Sequence, residues 1–87
     1  MNYSWDPEKA KKNLKKHGIR FSDVEPVFED ERAIEIDDHS SGEERTVIVG
    51  MDALARILVV VFVEREDEFR IISARKAEPR ERKQYEG

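Results

Sequence analysis

The chain has 87 residues, no cysteine and a formal net charge of −4. A chain of this length is expected to form one domain over residues 1–87, and without cysteine it forms no disulfide, thiol nucleophile or thiolate metal site. No apolar run approaches the roughly 20 residues that cross a bilayer, and the N-terminus lacks the charged-then-apolar order of a signal peptide. We therefore expect a soluble, cytoplasmic protein.

The first predicted helix lies near the N-terminus and is strongly basic. A short strand over 2–5 precedes it. Asp6 can cap the free amides and Pro7 suits the first turn, so we predict a helix over 7–17 that ends at a left-handed Gly18. Its apolar face is thin, and the helix must therefore be held by docking on a sheet.

The remainder of the chain alternates apolar runs with turn residues. The unbroken apolar run over 57–63 predicts a central strand that is buried on both faces. Glu66 and Asp67 form the turn of a hairpin. The other predicted elements are a short helix over 22–28 with a Ser22–Glu25 capping box, strands over 31–38, 43–51 and 68–76, and a helix beginning near Pro79.

This order predicts an α+β fold. We expect an antiparallel β-sheet of four to five strands with two N-terminal helices and a C-terminal helix. The helices are expected on one face of the sheet. The opposite face is expected to carry the polar strand residues and to form the working surface.

The cations are concentrated towards the two ends of the chain. Residues 9–20 contain six cations and no carboxylate, and residues 70–83 contain six cations and two glutamates. Most of the acidic residues lie between them. The two basic segments form one positive face only if they meet in space, and otherwise the lysines only solvate a helix surface.

Three stretches together resemble one known family: WDPEKAKKNLKKHGIRF over 5–21, EER over 43–45, and RIISARKAEPRERKQY over 70–85. Over nearly its whole length the chain resembles the BrnT toxins of bacterial type II toxin–antitoxin modules. The resemblance implies a fold similar to the RelE/ParE superfamily and a ribonuclease activity that halts translation. It also implies a cognate, BrnA-like antitoxin that represses the operon, so that operator DNA is contacted only indirectly. A dimer, or a heterotetramer with the antitoxin, is possible.

RNA can be cut without a metal when its own 2′-hydroxyl attacks the adjacent phosphate. The protein then assists deprotonation, neutralises charge on the phosphate and protonates the leaving 5′-oxygen. Both basic segments contain suitable side chains, and we expect no cofactor. A metal route is poorer because the chain has two histidines, no HExxH motif and no cysteine. Asp37, Asp38 and His39 are a weak alternative, since adjacent side chains at a strand end point apart.

Four residues are candidates for catalysis: His17, Glu44, Arg70 and Arg75. Histidine titrates near neutral pH, although His17 can equally cap the last carbonyls of its helix. Glu44 (or its neighbour Glu43) is a candidate base, or a solvated acid at a strand end. The arginine forks match phosphate oxygens, unless they form ion pairs with the acidic middle of the chain.

Six further residues are candidates for binding RNA: Lys12, Lys16, Arg45, Lys76, Arg82 and Tyr85. Tyr85 can stack on a base, donate a proton or simply pack. Trp5 is expected in the core, with base stacking as the alternative. The mechanism requires that His17 on the first helix and the arginines of the last strand converge on one pocket.

Two functions remain open. The first is the metal-independent endoribonuclease toxin described above. The second is a non-catalytic binding module with a toxin fold, which acts through an antitoxin or on a non-RNA target such as a topoisomerase. In either case the antitoxin is expected to cover the basic face with an acidic or hydrogen-bonding segment.

Overall fold

The structure is a computed structural model, and it describes residues 2–38 and 44–87, with Asp37 and Asp38 described by their backbone alone. A 3₁₀ turn over Phe21–Asp23 precedes the second helix. The elements are β1 (Asn2–Ser4), α1 (Pro7–His17), α2 (Glu25–Glu29), β2 (Ile34–Asp38), β3 (Arg45–Met51), β4 (Ile57–Arg65), β5 (Glu68–Lys76) and α3 (Pro79–Glu86). In this part of the chain no helix is long and apolar enough to span a membrane.

The five strands form one sheet in the order β1-β5-β4-β3-β2. Strands β2 to β5 pair antiparallel, as predicted. Strand β1 instead pairs parallel with β5, with Tyr3 opposite Phe69. The expectation of a wholly antiparallel sheet is corrected here, because a hairpin fixes direction only between strands that follow one another in sequence. The α+β fold class is confirmed.

The prediction that β4 is a central strand with two buried faces is confirmed. Leu58, Val60 and Phe62 point towards α1 and α2 and belong to the main core. That core also contains Ile19, Phe21, Val24, Val27, Ile48, Ile71 and Ala74. Burial of this kind contributes about 1.5–3 kcal/mol for each large apolar side chain, and it holds a helix that has little apolar surface of its own.

The opposite face of the sheet is not the polar working surface that we expected. Val49, Ile57 and Val59 are buried there in a second, smaller cluster, and Ala77 and Tyr85 pack against them. Helix α3 therefore lies on the face opposite α1 and α2. The expectation failed because β3 and β4 carry valine or isoleucine on both sides, so that both faces need a cover.

The ends of α1 follow their local signals. Asp6 accepts a hydrogen bond from the Glu8 amide at 2.9 Å, and Gly18 has φ 72° with its amide donating to the Leu14 carbonyl at 2.8 Å. The predicted Ser22–Glu25 capping box is wrong, because the 3₁₀ turn incorporates Ser22 and α2 starts without a side-chain cap.

Candidate nucleic-acid interface

Helix α1 is fastened to β5 by a buried asparagine. The Asn13 side-chain nitrogen donates to the Ala74 carbonyl at 2.8 Å and to the Ile19 carbonyl at 3.0 Å, and its oxygen accepts from the Ala74 amide at 3.1 Å. Asn13 was assigned no role from the sequence. The available signal was a polar residue between Ala10 and Leu14, on the narrow side of the helix that faces the protein.

Helix α1 and β5 together form a basic groove of about 220 Å³. We call it the α1–β5 groove. Its lining residues are Lys9, Lys12, Asn13, Lys16, His17, Ile72 and Ser73. Because side chains three, four and seven positions apart share one side of a helix, the three lysines line one wall. Lys9 was missed as a site residue, although its spacing from Lys12 and Lys16 predicts this position.

A β-bulge decides which way the arginines of β5 point. Ile72 is an additional residue between Ile71 and Ser73, where the pairing with β4 shifts. Regular alternation would put Arg70 and Arg75 on opposite faces, since they are five positions apart. The bulge brings both onto the face that Ser73 occupies, where they pair with Val63 and Val59 of β4. This is the face of the second cluster and of α3, and neither arginine lines the groove that contains His17. Measured by their partners on β4, both Arg75 and Arg70 lie two strand positions, or about 7 Å, from Ser73.

Arg75 is engaged by a carboxylate of α3. Its two terminal nitrogens donate to the two Glu81 oxygens at 2.8 Å each. The hydrogen bond from Arg75 lowers the pKa of Glu81 from its usual 4.5 to about 2, against the effect of burial, and it raises the pKa of Arg75. Arg75 thus forms an ion pair, although its partner lies on α3 and not in the acidic middle of the chain.

Arg70 is held less firmly. Its Nη1 donates to the Ser4 hydroxyl at 3.3 Å, and within residues 2–38 and 44–87 it has no carboxylate partner. Ser4 is its neighbour on β1. A half-buried guanidinium with one long hydrogen bond retains most of its donors for an anion.

Lys76 and Arg82 lie elsewhere, in a second groove of about 260 Å³ at the end of the sheet where α3 begins. Arg56 also lines this groove, but its guanidinium is bound to Asp52 at 2.7 Å. Arg82 makes a long contact of 3.9 Å with Glu86. The structure therefore separates these two cations from the α1–β5 groove.

Tyr85 packs, one of the roles left open above. Its ring lies on the second cluster, and its hydroxyl donates to Asp30 at 2.5 Å. This hydrogen bond raises the pKa of Tyr85, with burial adding to the effect. Burial alone would raise the pKa of Asp30, but hydrogen bonds from Tyr85 and from the Met51 and Arg32 amides lower it.

Glu44 and Arg45 lie at the start of β3. Glu44 is exposed, and Arg45 is the first residue of the strand. Because β3 is two strands away from β5, roughly 10 Å separates Arg45 from Arg70. Neither residue lines the α1–β5 groove.

The weak metal alternative involves Asp37, Asp38 and His39. It lies outside the described residues, since His39 and the two aspartate side chains are not among them, and the same holds for Glu43. In the described part of the chain, no group of three metal-ligating residues is found.

These elements define a small α+β domain in which a cationic helix is bound along one edge of a mixed sheet. A sequence model of the BrnT family, the ribonuclease toxins of type II toxin–antitoxin systems, matches residues 5–81 of this chain. The chain therefore belongs to the BrnT family of ribonuclease toxins, and membership implies an antitoxin partner.

A solved structure supports the fold independently. The ribonuclease toxin BrnT of Brucella abortus, known from a 1.1 Å crystal structure, is similar with a TM-score of 0.76 and 26% identity. The similarity covers 90% of this chain and 97% of that chain. The sequence matches no curated protein.

Proposed function

We propose that this chain is a metal-independent endoribonuclease that cuts RNA by 2′-hydroxyl attack, inhibits translation and is neutralised by a cognate antitoxin. The observation that carries the proposal is the α1–β5 groove, in which His17 and three lysines face the middle of β5. The bulge in that strand directs Arg70 and Arg75 to the side of Ser73. The histidine and the lysines thus stand along one groove that fits a phosphodiester backbone. Arg70 lies on the other face of β5, where it can reach a phosphate that passes the edge of the strand at Ser73.

The roles follow from the position and chemistry of each group. His17 transfers the proton, since it is the one imidazole among the described residues that line the groove, and histidine is the side chain that most often acts as general acid or base. Lys12 and Lys16 bind the flanking phosphates. Arg70 binds the scissile phosphate, because it keeps donors that Arg75 uses on Glu81. Arg75 acts mainly by holding α3 in place.

The step conserves atoms without any co-reactant. The 2′-oxygen loses its proton and forms a bond to phosphorus, while the bond from phosphorus to the 5′-oxygen breaks. The 5′-oxygen then gains a proton. The products are a 2′,3′-cyclic phosphate and a 5′-hydroxyl. Their detection distinguishes this route from metal-assisted hydrolysis, in which water attacks the phosphate and no cyclic phosphate forms.

Cleavage of RNA by the purified protein in excess chelator tests this function. We expect His17→Ala to lower the cleavage rate by about 10²- to 10⁴-fold, the usual contribution of a general acid or base. Arg70→Ala should lower it similarly, and Lys15→Ala, on the same helix but not lining the groove, should leave the rate within about twofold. Intact RNA in the presence of the folded protein, or full activity of His17→Ala, contradicts the proposal.

The second candidate function is the non-catalytic binding module. It is favoured by one observation: among the described residues that line the α1–β5 groove there is no carboxylate to act as a second proton-transfer group. Toxicity in cells without RNA decay, together with intact RNA in the chelator assay, would favour this candidate. RNA decay with cyclic phosphate ends favours the ribonuclease.

A further inference from the structure

Helix α1 has a second groove on its other flank. This groove has a volume of about 180 Å³, and its apolar lining consists of Trp5, Ala10, Leu14 and Phe21. Lys11, Arg20 and Ser22 complete it. A further groove of about 340 Å³ shares its Trp5–Phe21–Ser22 wall and extends along Tyr3 and Val24. We call the first of these the Trp5 groove.

We propose that the Trp5 groove is the anchoring site for an acidic, amphipathic segment of the antitoxin. The proposal rests on the neutralisation by an antitoxin that is proposed above, and it adds where that partner binds and with what chemistry. The α1–β5 groove and the Trp5 groove share no lining residue. The anchor therefore lies beside the RNA site and does not overlap it.

The apolar part of the groove is open to a partner. Leu14 retains 36% exposure although it belongs to the side of α1 that faces the protein. Trp5 is half-buried, with its ring edge-on to Phe21 at a centroid distance of 6.2 Å. Partly exposed aromatic and leucine side chains in a concave site are the kind of surface that supplies most of the affinity in protein interfaces.

The charged part of the groove selects for an acidic partner. Arg20 has no carboxylate partner within the described ranges, and Lys11 has only a 3.9 Å contact with the highly exposed Glu8. Two available cations beside an apolar groove fit a segment that presents leucine- or valine-like side chains to the groove and carboxylates to its rim.

A second copy of this chain fits the groove less well. In a symmetric dimer the same patch meets itself, so that Lys11 and Arg20 of one copy would approach those of the other. RNA is also disfavoured, because the row of three lysines, Lys9, Lys12 and Lys16, lines the opposite flank of the helix.

This position explains how one segment can block the RNA site. An α-helix with its side chains is about 10–12 Å across. A segment anchored at Leu14 therefore needs only a few more residues to cross α1 and place carboxylates over Lys12 and Lys16. The contacts that anchor the segment are then separate from the contacts that cover the RNA site. A substitution in the Trp5 groove therefore weakens binding of the antitoxin without changing the RNA site.

Trp5 is the only tryptophan of the chain, so its fluorescence reports directly on this groove. The probe is the protein encoded by the reading frame adjacent to this gene, with any tryptophan of its own replaced by phenylalanine. On binding, we expect the Trp5 emission to shift to shorter wavelength and to become protected from acrylamide. An unchanged and still quenchable Trp5 in the saturated complex would overturn the proposal.

Two pairs of variants separate the anchor from the rest of the surface. Leu14→Glu should weaken antitoxin binding about tenfold or more, since it puts a charge on apolar surface that the partner would bury. Ile36→Glu, at 49% exposure on edge strand β2, should leave binding within about twofold. Lys11→Glu should weaken binding several-fold, and more at low salt, whereas Lys15→Glu, with the same charge change on the same helix, should do so less.

Circular dichroism of each variant verifies folding, and cleavage of RNA by each variant is measured in parallel. Equal affinity of Leu14→Glu and the unsubstituted chain for the antitoxin refutes the proposal, whatever the RNA assay shows. A Trp5 shift produced by an RNA oligonucleotide and not by the antitoxin also refutes it, in favour of base stacking. Loss of affinity in Leu14→Glu with normal cleavage supports it.

Discussion

The side-chain amide of Asn13 pairs with the backbone of Ala74 as a neighbouring β-strand would. It accepts from the Ala74 amide at 3.1 Å and donates to the Ala74 carbonyl at 2.8 Å. Strand β1 covers β5 only along 68–70, so this amide satisfies part of the edge that β1 leaves open. The place of the cationic helix therefore depends on one buried side chain.

Asn13→Ala should lower the free energy of unfolding by about 2–3 kcal/mol. The substitution leaves the amide and carbonyl of Ala74 and the carbonyl of Ile19 without their partner in a buried site, and each such loss is costly. Urea denaturation followed by circular dichroism measures the change. Asn2→Ala, at an exposed position of β1, is the control and should stay within about 0.5 kcal/mol. A loss of similar size in both variants would show that the Asn13 hydrogen bonds contribute nothing specific.

Local signals in the sequence were sufficient for most of the elements. Asp6, Pro7 and Gly18 determine the ends of α1 through backbone groups within a few residues of them. The apolar run of β4 needs no tertiary information either, because only a central strand buries both of its faces. The fold class and the antiparallel pairing of β4 with β5 could therefore be predicted.

The site depended on relations that no local pattern contains. Arg70 and Arg75 share a face only because Ile72 forms a bulge against β4, and the pairing register decides that. The sequence assigned Glu81 no role and left Tyr85 open between binding RNA and packing, yet Arg75 binds the first and Asp30 the second. Both partners lie outside α3, so that sequence spacing on the helix could not reveal them.

Tyr85→Phe should destabilise the fold by about 1–2 kcal/mol, since the variant lacks the hydrogen bond to a carboxylate. The structure also predicts a pH dependence. Because the pKa of Tyr85 is raised in the folded state, the hydroxyl contributes its full stability below pH 10, and the contribution disappears as the pH rises through the raised pKa. Ultraviolet difference titration and urea denaturation at high pH measure both effects.

Tyr3→Phe is the matched control for this experiment. Burial is the main cause that raises the pKa of Tyr3, and it forms no hydrogen bond to a carboxylate in the part of the chain that the structure describes. Removal of the Tyr3 hydroxyl should therefore lower the free energy of unfolding less than removal of the Tyr85 hydroxyl. An equal loss in the two variants, or an ordinary titration of Tyr85, would contradict the contact with Asp30.

Glu81→Gln should change how the free energy of unfolding depends on pH below about pH 5. Because pairing with Arg75 lowers the pKa of Glu81 from 4.5 to about 2, the carboxylate stabilises the folded state above pH 4.5, and this contribution is lost as the pH falls towards 2. The variant should therefore be less stable than the original chain at pH 7, and the difference should shrink between about pH 5 and pH 2. Glu86→Gln, whose contact with Arg82 is long and exposed, should show no such pH dependence.

Replacing the lysines of the α1–β5 groove should reduce the salt dependence of RNA binding. A single-stranded RNA in which 2′-O-methyl groups prevent cleavage is used, so that binding is measured alone. The plot of log K against log [salt] has a negative slope, and for single strands each phosphate that the protein no longer neutralises makes it shallower by about 0.7. The Lys12→Ala, Lys16→Ala double variant should therefore make the slope shallower by about 1.4. The matched control is Lys11→Ala with Lys15→Ala, which removes the same charge from the same helix outside this groove. Equal slopes for the two double variants would mean that the helix attracts RNA only through its total charge. That result would contradict the proposal that the α1–β5 groove binds RNA.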